Sequence, residues 1–361
     1  MSISDITIII PALEPNEKLI VLLESIRRQD SDNFTIIIVN DGSSADYDSY
    51  FKQAHEDFGA IVLKHEENYG KGRALRTAFD YILHHLPDCQ GVITIDSDGQ
   101  HTYADMMKCI GAFQQDPSAL VLGVRDFQNE VPWKSQFGNR LTRYILKMVT
   151  GISLTDTQTG LRVIPKTYLA RLLEISGDRF EYELKMIIDA AKQEIPIKEV
   201  AIETIYHDDN KGSHFNPIKD SIAIYSVFLE YMANQTYFWK YILSSVSSFV
   251  VDILLFHLFS VLLPHAASTL TIYLATIIAR TISSVFNYTL NRFLVFKQES
   301  KQSFIKYVSL VIVQMFLSGG LVSLISTIMQ SQATTFIKIF VDSMLFLLSY
   351  FIQKHFIFKS K

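Results

Sequence analysis

The chain has 361 residues and a formal net charge of −4. The charge is unevenly distributed: residues 233–361 hold ten basic and three acidic residues, whereas residues 1–232 hold 23 basic and 34 acidic residues. A hydrophobic content of 48% excludes a disordered chain, and the two cysteines exclude a disulfide scaffold or a multi-cysteine metal site. Because residues 1–232 contain no strong basic run, no nucleic-acid partner is expected, and the length and the uneven charge predict two parts that meet near residue 233.

Short apolar segments alternate with segments of helical periodicity in the first part. The apolar segments predict strands at residues 6–11, 34–39, 60–64, 92–95, 120–123 and 197–205, and a loop at 156–163 enters a further strand. The periodic segments predict helices at residues 18–28, 45–58, 72–86, 103–114, 133–150 and 181–193. This alternation is typical of a parallel α/β sheet, which binds ligands at the carboxyl ends of its strands.

The second part contains four apolar segments, at about 239–262, 269–291, 305–328 and 336–358. About 20 apolar residues cross a bilayer as a helix, so we expect four transmembrane helices. Lys and Arg are concentrated in the middle loop and at the C-terminus, which places both termini and the first part in the cytoplasm of a plasma-membrane protein. The low cysteine content agrees with that reducing compartment.

The segment that joins the two parts, residues 213–235, predicts an amphipathic helix. Its apolar residues fall on one helical face directly before the first apolar segment, so it either lies on the bilayer or packs against the first part.

The apolar part also contains a candidate repeat and several polar residues whose burial in lipid would cost free energy. Residues 286–297 and 348–359 share an order of polar, basic and aromatic classes, which indicates either an internal repeat or two similar membrane exits. Polar groups within lipid are expected to face the protein interior, and Arg280 is expected to pair with Asp252. The other polar candidates are Asn287 and Asp342.

Acidic residues follow two of the predicted strands. Asp96 and Asp98, two residues apart at a strand end, can share one Mg²⁺ or Mn²⁺ ion, and such an ion neutralises a departing diphosphate. Asp41 follows another strand in an Asn-Asp-Gly sequence, which is also a common turn. Lys71 lies between two glycines at a helix start, which suits either a phosphate or an ordinary helix start, and the spacing fits neither a P-loop nor a dinucleotide motif.

The strand-end acids and Lys71 belong to four motifs that follow one another along the chain, at residues 8–14, 39–44, 68–72 and 96–101. These motifs resemble those of family 2 glycosyltransferases, in the branch that includes dolichol-phosphate mannose synthase and other polyprenyl-phosphate glycosyltransferases. The resemblance implies a GT-A fold over residues 1–212, that is, a Rossmann-like α/β nucleotide-diphospho-sugar transferase with a mostly parallel sheet. Through Asn287, Asn291, Arg292 and Phe296 above all, residues 236–361 resemble the GtrA-like domain, an all-α domain with four transmembrane helices.

The resemblance also implies roles for individual residues on the donor side. This chain has Leu-Glu-Pro-Asn-Glu where the family often has Tyr-Asn-Glu, so it leaves open which acid takes the nucleotide-side role, for which Glu14 is the candidate. The implied metal ligands, for Mg²⁺ or Mn²⁺, are Asp96, Asp98 and Gln100. The implied nucleotide-binding residues are Pro11, Leu13, Glu14, Asp41, Lys71 and Asp96.

A polyprenyl phosphate acceptor is already an anion at pH 7, so its oxygen needs no dedicated base, and fixed cations must hold it near the donor. Arginine suits phosphate, and Arg125 and Arg140 are the candidates that join Asp96 and Asp98 as catalytic residues. The remaining candidates for contact with the sugar or the acceptor are Asp156, Arg162, Glu181, Ser213 and His214.

These features predict an enzyme: a membrane-bound, metal-dependent, inverting glycosyltransferase. It would move a sugar, expected to be glucose or N-acetylglucosamine from UDP, to undecaprenyl phosphate or a similar polyprenyl phosphate for cell-wall or other surface glycans. One alternative is a processive polysaccharide synthase, although no Q-x-x-R-W sequence occurs and four helices are few for a polymer channel. Another is a translocator of lipid-linked sugars or a scaffold that only binds nucleotide. The sequence is compatible with a monomer or a homo-oligomer.

Overall fold

The computed structural model describes residues 5–29, 34–125, 133–203, 219–263, 269–297, 302–328 and 334–358. The chain divides into two compact units, Met1–Leu229 and Glu230–Lys361. The first unit is built around a β-sheet, and the second unit is helical.

In the described part of the first unit, seven strands form one sheet in the order β3-β2-β1-β4-β6-β5-β7. The strands are β1 Ile6–Ala12, β2 Thr35–Asn40, β3 Ile61–Lys64, β4 Gly91–Thr94, β5 Leu120–Arg125, β6 Arg162–Pro165 and β7 Ile197–Ile202. The helices are α1 Glu17–Gln29, α2 Asp48–Glu56, α3 Lys71–His85, α4 Tyr103–Gln115, α5 Trp133–Thr150, α6 Lys166–Glu174, α7 Glu181–Lys192 and α8 Lys219–Ala233.

The central strands are continuous apolar runs because helices cover both faces of the sheet. Ile8, Ile9 and Ile10 of β1 are fully buried, as are Ile37 and Ile38 of β2. Strands β3, β2, β1 and β4 run parallel to one another. Their carboxyl ends therefore meet at one edge, where the sequence places its strand-end acids.

The expected mostly parallel sheet is confirmed, with one antiparallel strand that the parallel pattern did not predict. Strand β6 runs antiparallel to both β4 and β5. Its first residue, Arg162, therefore lies opposite Thr94 at the carboxyl end of β4. The antiparallel direction thus brings the segment before β6 to the same edge as Asp96 and Asp98.

Helix α8 falls in the segment for which an amphipathic helix is predicted. Ile222 and Leu229 are exposed, whereas Val227 and Phe228 are buried. Its placement on a bilayer remains a prediction.

In the described part of the second unit, four long helices coincide with the four apolar segments: α9 Thr236–Leu262, α10 Thr269–Leu290, α11 Ser303–Ile328 and α12 Thr334–Ile352. Two π-helical turns, Asn291–Val295 and Gln353–Ile357, follow α10 and α12 directly. Among the described residues, one helical stretch, Thr236–Phe259, is long and apolar enough to cross a membrane, and Ser303–Ser318 is a shorter apolar stretch.

The apolar side chains of the second unit point outward to an extent that a water-soluble bundle would not tolerate. Only 11% of the most apolar window of α9 is buried. Leu254, Phe316 and Phe340 are among the exposed large apolar residues of this unit. The expected pair within the apolar segments is confirmed, because Arg280 Nη2 lies 3.6 Å from Asp252 Oδ2. The number of membrane crossings and the cytoplasmic placement of the termini remain predictions.

Candidate functional site

A polar cleft of about 400 Å³ opens at the carboxyl edge of β1, β2 and β4. The segment after β1, the acid after β2, the start of α3 and the acids after β4 all contribute to its wall, as expected for a parallel sheet. The predicted site residues that line it are Pro11, Leu13, Glu14, Asp41, Lys71, Asp96 and Asp98.

Asp41 fixes the loop that precedes α3. Its carboxylate accepts hydrogen bonds from the backbone N–H groups of Tyr69, at 3.0 Å, and Gly70, at 2.8 Å. His65 Nδ1–H donates to the same carboxylate at 2.7 Å, and its Nε2 lies 2.9 Å from Thr77 Oγ1. Asp41 is 4% exposed and orders the loop at one side of the cleft, and its contact with a nucleotide remains a prediction.

The segment after β1 is held by the segment after β2. Glu14 has a φ of +48°, in the left-handed region, and its backbone N–H donates to Ser43 Oγ at 2.8 Å. The backbone N–H of Ser43 in turn donates to Asn40 Oδ1 at 2.9 Å. These bonds fix the backbone around Leu13 and Glu14 at the mouth of the cleft.

Lys71 connects two acidic residues in the cleft. Its Nζ lies 2.7 Å from Asp96 Oδ1 and 3.1 Å from Glu183 Oε1. Burial alone would lower the pKa of Lys71, but the two carboxylates outweigh burial and raise it. Burial would likewise raise the pKa of Asp96, but Lys71 outweighs it and lowers that pKa. Both groups are therefore charged at neutral pH.

Asp98 is the acid of the pair that still favours a cation. Burial and the neighbouring charge of Asp96 raise the pKa of Asp98. The described residues contain no cluster of three His, Cys, Asp or Glu side chains that could hold a metal ion. Two carboxylates with a nearby amide nevertheless fit a Mg²⁺ or Mn²⁺ ion that takes its other oxygens from water and a diphosphate. Gln100 follows in the same turn, and its backbone N–H donates to Asp98 Oδ1 at 3.0 Å.

The segment before β6 packs directly against the first acid of the pair. The carbonyl of Gly160 accepts a hydrogen bond from Thr94 Oγ1 at 2.8 Å. A Cβ atom on Gly160 would lie 2.0 Å from Asp96 Oδ2. Only glycine leaves room for the carboxylate at this position.

Asp156 and Arg125 form a buried ion pair. Arg125 Nε and Nη2 donate to the two carboxylate oxygens of Asp156 at 2.6 Å and 2.9 Å. Asp156 is fully buried, and although burial would raise its pKa, hydrogen bonds and charge from Arg125 lower it. The predicted contacts of these two residues with phosphate and sugar remain predictions, whereas their contact with each other shows a structural role.

We expect Arg125→Gln to lower the free energy of unfolding by about 3 kcal/mol, because it leaves a buried carboxylate unpaired. An Asp carboxyl whose pKa is lowered on folding stabilises the fold fully above its pKa in the unfolded chain, about 3.9. The difference in stability between the wild type and Arg125→Gln should therefore be complete at pH 7. It should shrink as the pH falls through the lower pKa of Asp156 in the folded chain. Thermal unfolding of the purified chain between pH 7 and pH 3 measures it. Lys52→Gln, which removes the exposed pair of Lys52 with Glu56, should change stability by less than about 1 kcal/mol. Equal stability of the wild type and Arg125→Gln at pH 7 would contradict the structural role of the Arg125–Asp156 pair.

Other predicted residues take positions that their motifs did not reveal. Arg162 is 1% exposed, and its Nη1 donates to the carbonyl of Glu183 at 2.7 Å, so it lies beneath the cleft in this structure. Glu181 Oε1 accepts from the backbone N–H of Asp178 at 3.0 Å at the start of α7. Arg140 is on the exposed side of α5. Ser213 and His214 lie outside the described residues.

The sequence prediction names Glu181 in this segment, and the structure adds Glu183, which contacts Lys71. On a helix, positions 181 and 183 point to different sides. Glu183 shares the buried side of α7 with Met186, Ile187 and Ala190, which follow at helical spacing. That apolar spacing was the available signal, because a carboxylate on a buried helix face needs a charged partner.

Comparison with known proteins gives a family model for each of the two units. The model "Glycosyl transferase family 2" matches residues 7–173, and the model "GtrA/DPMS, transmembrane domain" matches residues 240–358. A UDP-N-acetylglucosamine–dolichyl-phosphate N-acetylglucosaminyltransferase of Methanococcus voltae is 31% identical over 220 residues, which cover 56% of this chain and 86% of that protein. The chain belongs to glycosyl transferase family 2. It is therefore a glycosyltransferase with a membrane domain of the GtrA/DPMS type.

Two further similarities accompany this family 2 enzyme. An uncharacterised protein of Methanocaldococcus jannaschii is 27% identical over 231 residues, or 63% of this chain and 92% of that one. A crystal structure of glucosyl-3-phosphoglycerate synthase from Mycobacterium tuberculosis, with manganese, UDP and product, is 16% identical at a TM-score of 0.49 over 63% of this chain and 79% of that chain. The family model and the mostly parallel sheet, independently of this structural similarity, indicate the GT-A fold.

Proposed function

We propose that this family 2 enzyme transfers a sugar from a UDP-sugar, UDP-glucose or UDP-N-acetylglucosamine, to undecaprenyl phosphate or a similar polyprenyl phosphate for surface glycans. The observation that carries the proposal is the cleft in which Asp96 and Asp98 lie beside Lys71 and Asp41. The similarity to a dolichyl-phosphate N-acetylglucosaminyltransferase supports the lipid acceptor. The membrane domain supports it as well, since the acceptor is dissolved in the bilayer.

The reaction that this cleft suits is a single inverting displacement. A phosphate oxygen of the lipid attacks the anomeric carbon of the sugar and forms the new bond. The bond between that carbon and the diphosphate oxygen breaks, its electron pair stays on that oxygen, and the nucleoside diphosphate leaves. The second pKa of a phosphate monoester is about 6, so the attacking oxygen is already charged at pH 7 and transfers no proton. A Mg²⁺ or Mn²⁺ ion, held by Asp96, Asp98 and Gln100 when bound, would neutralise the departing diphosphate.

The residues of the chain itself supply position and charge. Lys71 places a fixed cation beside Asp96 in the cleft, where charge develops on the leaving group. The Asp41 hydrogen bonds hold the loop that carries Lys71, so this cation is positioned before the donor arrives. Arg140 remains our candidate for contact with the acceptor phosphate.

A panel of donors tests the proposal. Purified chain is incubated with polyprenyl phosphate, Mg²⁺ or Mn²⁺ and, in separate reactions, UDP-glucose, UDP-N-acetylglucosamine and GDP-mannose, and sugar is then counted in the organic phase. We expect one UDP-sugar to give a lipid product of one sugar per lipid. A polymeric product would favour a processive synthase, and nucleotide binding without turnover of any donor would favour a translocator or scaffold.

A further inference from the structure

A chain of four charged groups runs from the cleft into the first unit. Glu183 is 4% exposed and lies between two cations, with Oε1 3.1 Å from Lys71 Nζ and 3.8 Å from Arg162 Nε. Lys71 continues to Asp96, so the signs alternate from the cleft surface to the buried guanidinium. Among the described residues, Arg162 Nη2 is buried without a hydrogen-bond partner. Arg162 therefore places a second cation beside Glu183.

The two carboxylates beside Lys71 have different surroundings. Asp96 lines the cleft with 28% of its side chain exposed, whereas the Glu183 side chain is 6% exposed. A donor that arrives with a divalent cation competes with Lys71 for Asp96. If Lys71 had Asp96 alone as a partner, releasing that carboxylate would leave a nearly buried ammonium unpaired, which is costly. Glu183 removes this cost because it keeps an anion beside Lys71 throughout.

We propose that Glu183 is a positioning residue that holds Lys71 in the cleft while Asp96 turns to the divalent cation and the diphosphate of the donor. The inference rests on the proposed function, because it requires a nucleotide diphosphate in this cleft. It predicts that Glu183 acts on donor affinity without touching the donor.

The experiment measures the binding of UDP to the full-length chain in detergent at fixed Mg²⁺, by calorimetry and without any acceptor. We expect Glu183→Gln to weaken UDP binding about 10-fold and to raise the Mg²⁺ concentration needed for half-maximal binding by a similar factor. Asp189→Asn is the matched control, since Asp189 is a nearly buried carboxylate on the same helix that pairs with Arg171 away from the cleft. Asp189→Asn should bind UDP within about 2-fold of the wild-type affinity, even if its unfolding midpoint falls as far as that of Glu183→Gln.

Each outcome is decisive. Glu183→Gln with wild-type UDP affinity overturns the inference, whatever happens to its stability. Glu183→Asp, which keeps the charge, should recover most of the affinity, and equal weakness of the Asp and Gln variants would show that charge is not the cause. If the wild-type chain transfers sugar but Glu183→Gln binds UDP as tightly as the wild type, this inference alone is overturned. A wild-type chain that binds no UDP with Mg²⁺ overturns the proposed function and this inference together.

A second observation, in the helical unit, concerns the candidate repeat. Asn291 and Gln353 are 62 residues apart, and each begins a π-helical turn. The two side chains are buried and meet, because Asn291 Nδ2 donates to Gln353 Oε1 at 2.9 Å. Each amide also donates to the residue four positions earlier, Asn291 to Asn287 at 2.9 Å and Gln353 to Ser349 at 3.0 Å.

The aromatic contacts around this pair follow the same correspondence. Phe296 and Phe358, which correspond in the two segments, stack on each other with centroids 5.1 Å apart. Tyr288 and Tyr350, which also correspond, each contact a tyrosine of α11 or α9, with ring centroids 5.4 Å apart for Tyr288 and Tyr307 and 5.2 Å apart for Tyr350 and Tyr241. Corresponding residues that touch each other lie on a two-fold axis.

We infer that the second unit consists of two copies of one helical hairpin, α9 with α10 and α11 with α12, related by an approximate two-fold axis on which Asn291 and Gln353 join the hairpins. The test exploits the near symmetry of the pair. Asn291→Leu and Gln353→Leu should each lower the thermal unfolding midpoint of the full chain in detergent by roughly 4 °C. The exchanged double variant Asn291→Gln/Gln353→Asn should recover most of the loss.

The control is Thr289→Val, an exposed position whose hydroxyl bonds only within its own helix in the structure as described. It should leave the midpoint unchanged. An exchanged pair as unstable as either Leu variant would overturn the inference, as would Leu variants as stable as the wild type.

Discussion

Asp98→Asn is expected to lower the rate of sugar transfer by about 100-fold or more. Asparagine keeps the shape of the side chain and the oxygen that accepts the Gln100 N–H, so the turn should stay intact. It removes the negative charge that, beside Asp96, favours a divalent cation in the cleft. The measurement is the initial rate of transfer to polyprenyl phosphate across a Mg²⁺ titration, together with the unfolding midpoint.

Asp116→Asn is the matched control for this prediction. Asp116 follows α4, and its carboxylate pairs with Lys198 away from the cleft. Its replacement should leave the transfer rate within about 2-fold of the wild type. Full activity of Asp98→Asn at low Mg²⁺ would show that the charge of Asp98 has no part in the reaction.

Gly160→Ala is expected to reduce transfer to a similar extent without any change in charge. The added Cβ would overlap the Asp96 carboxylate, at 2.0 Å from Oδ2 and 2.5 Å from Cγ. The backbone cannot withdraw easily, since Thr94 Oγ1 holds the Gly160 carbonyl at 2.8 Å. Asp96 must therefore leave the position from which it would reach the divalent cation, so both UDP affinity and the transfer rate should fall.

Gly111→Ala provides the control for glycine replacement. A Cβ on Gly111 would have no neighbour within 4 Å, and this helical position should tolerate alanine or gain about 0.5–1 kcal/mol. Steady-state kinetics and UDP binding on both variants separate the two cases. Wild-type kinetics for Gly160→Ala would mean that Asp96 does not need its present position.

The sequence predicted those parts of the site that short segments determine. Asp41 directly follows β2, and Asp96 and Asp98 lie in the turn after β4. Both strands are buried and apolar, and parallel strands must bring their carboxyl ends to one edge. The order of the four motifs then identified the family that the family model also identifies. The strand-end acids were therefore found without any knowledge of tertiary contacts.

The remaining parts depend on contacts between distant segments, which no local pattern encodes. Glu183 meets Lys71 only because α7 packs beside the start of α3, where Gly72 leaves space for Tyr182. Arg125 resembles a phosphate ligand in the sequence, whereas in the structure its Nε and Nη2 donate to Asp156, and its contact with phosphate remains a prediction. Whether an arginine faces a ligand or a buried acid is decided by tertiary packing.

The most direct test of the central claim is a comparison of two acceptors with the purified full-length chain. One reaction contains labelled UDP-sugar, Mg²⁺ and polyprenyl phosphate, and the other contains the unphosphorylated polyprenol at the same concentration. We predict organic-phase label, as one sugar per lipid, from the phosphate alone, because only the phosphate supplies a charged oxygen without a base. Equal transfer to polyprenol, or label that remains in water with every UDP-sugar, would contradict the account.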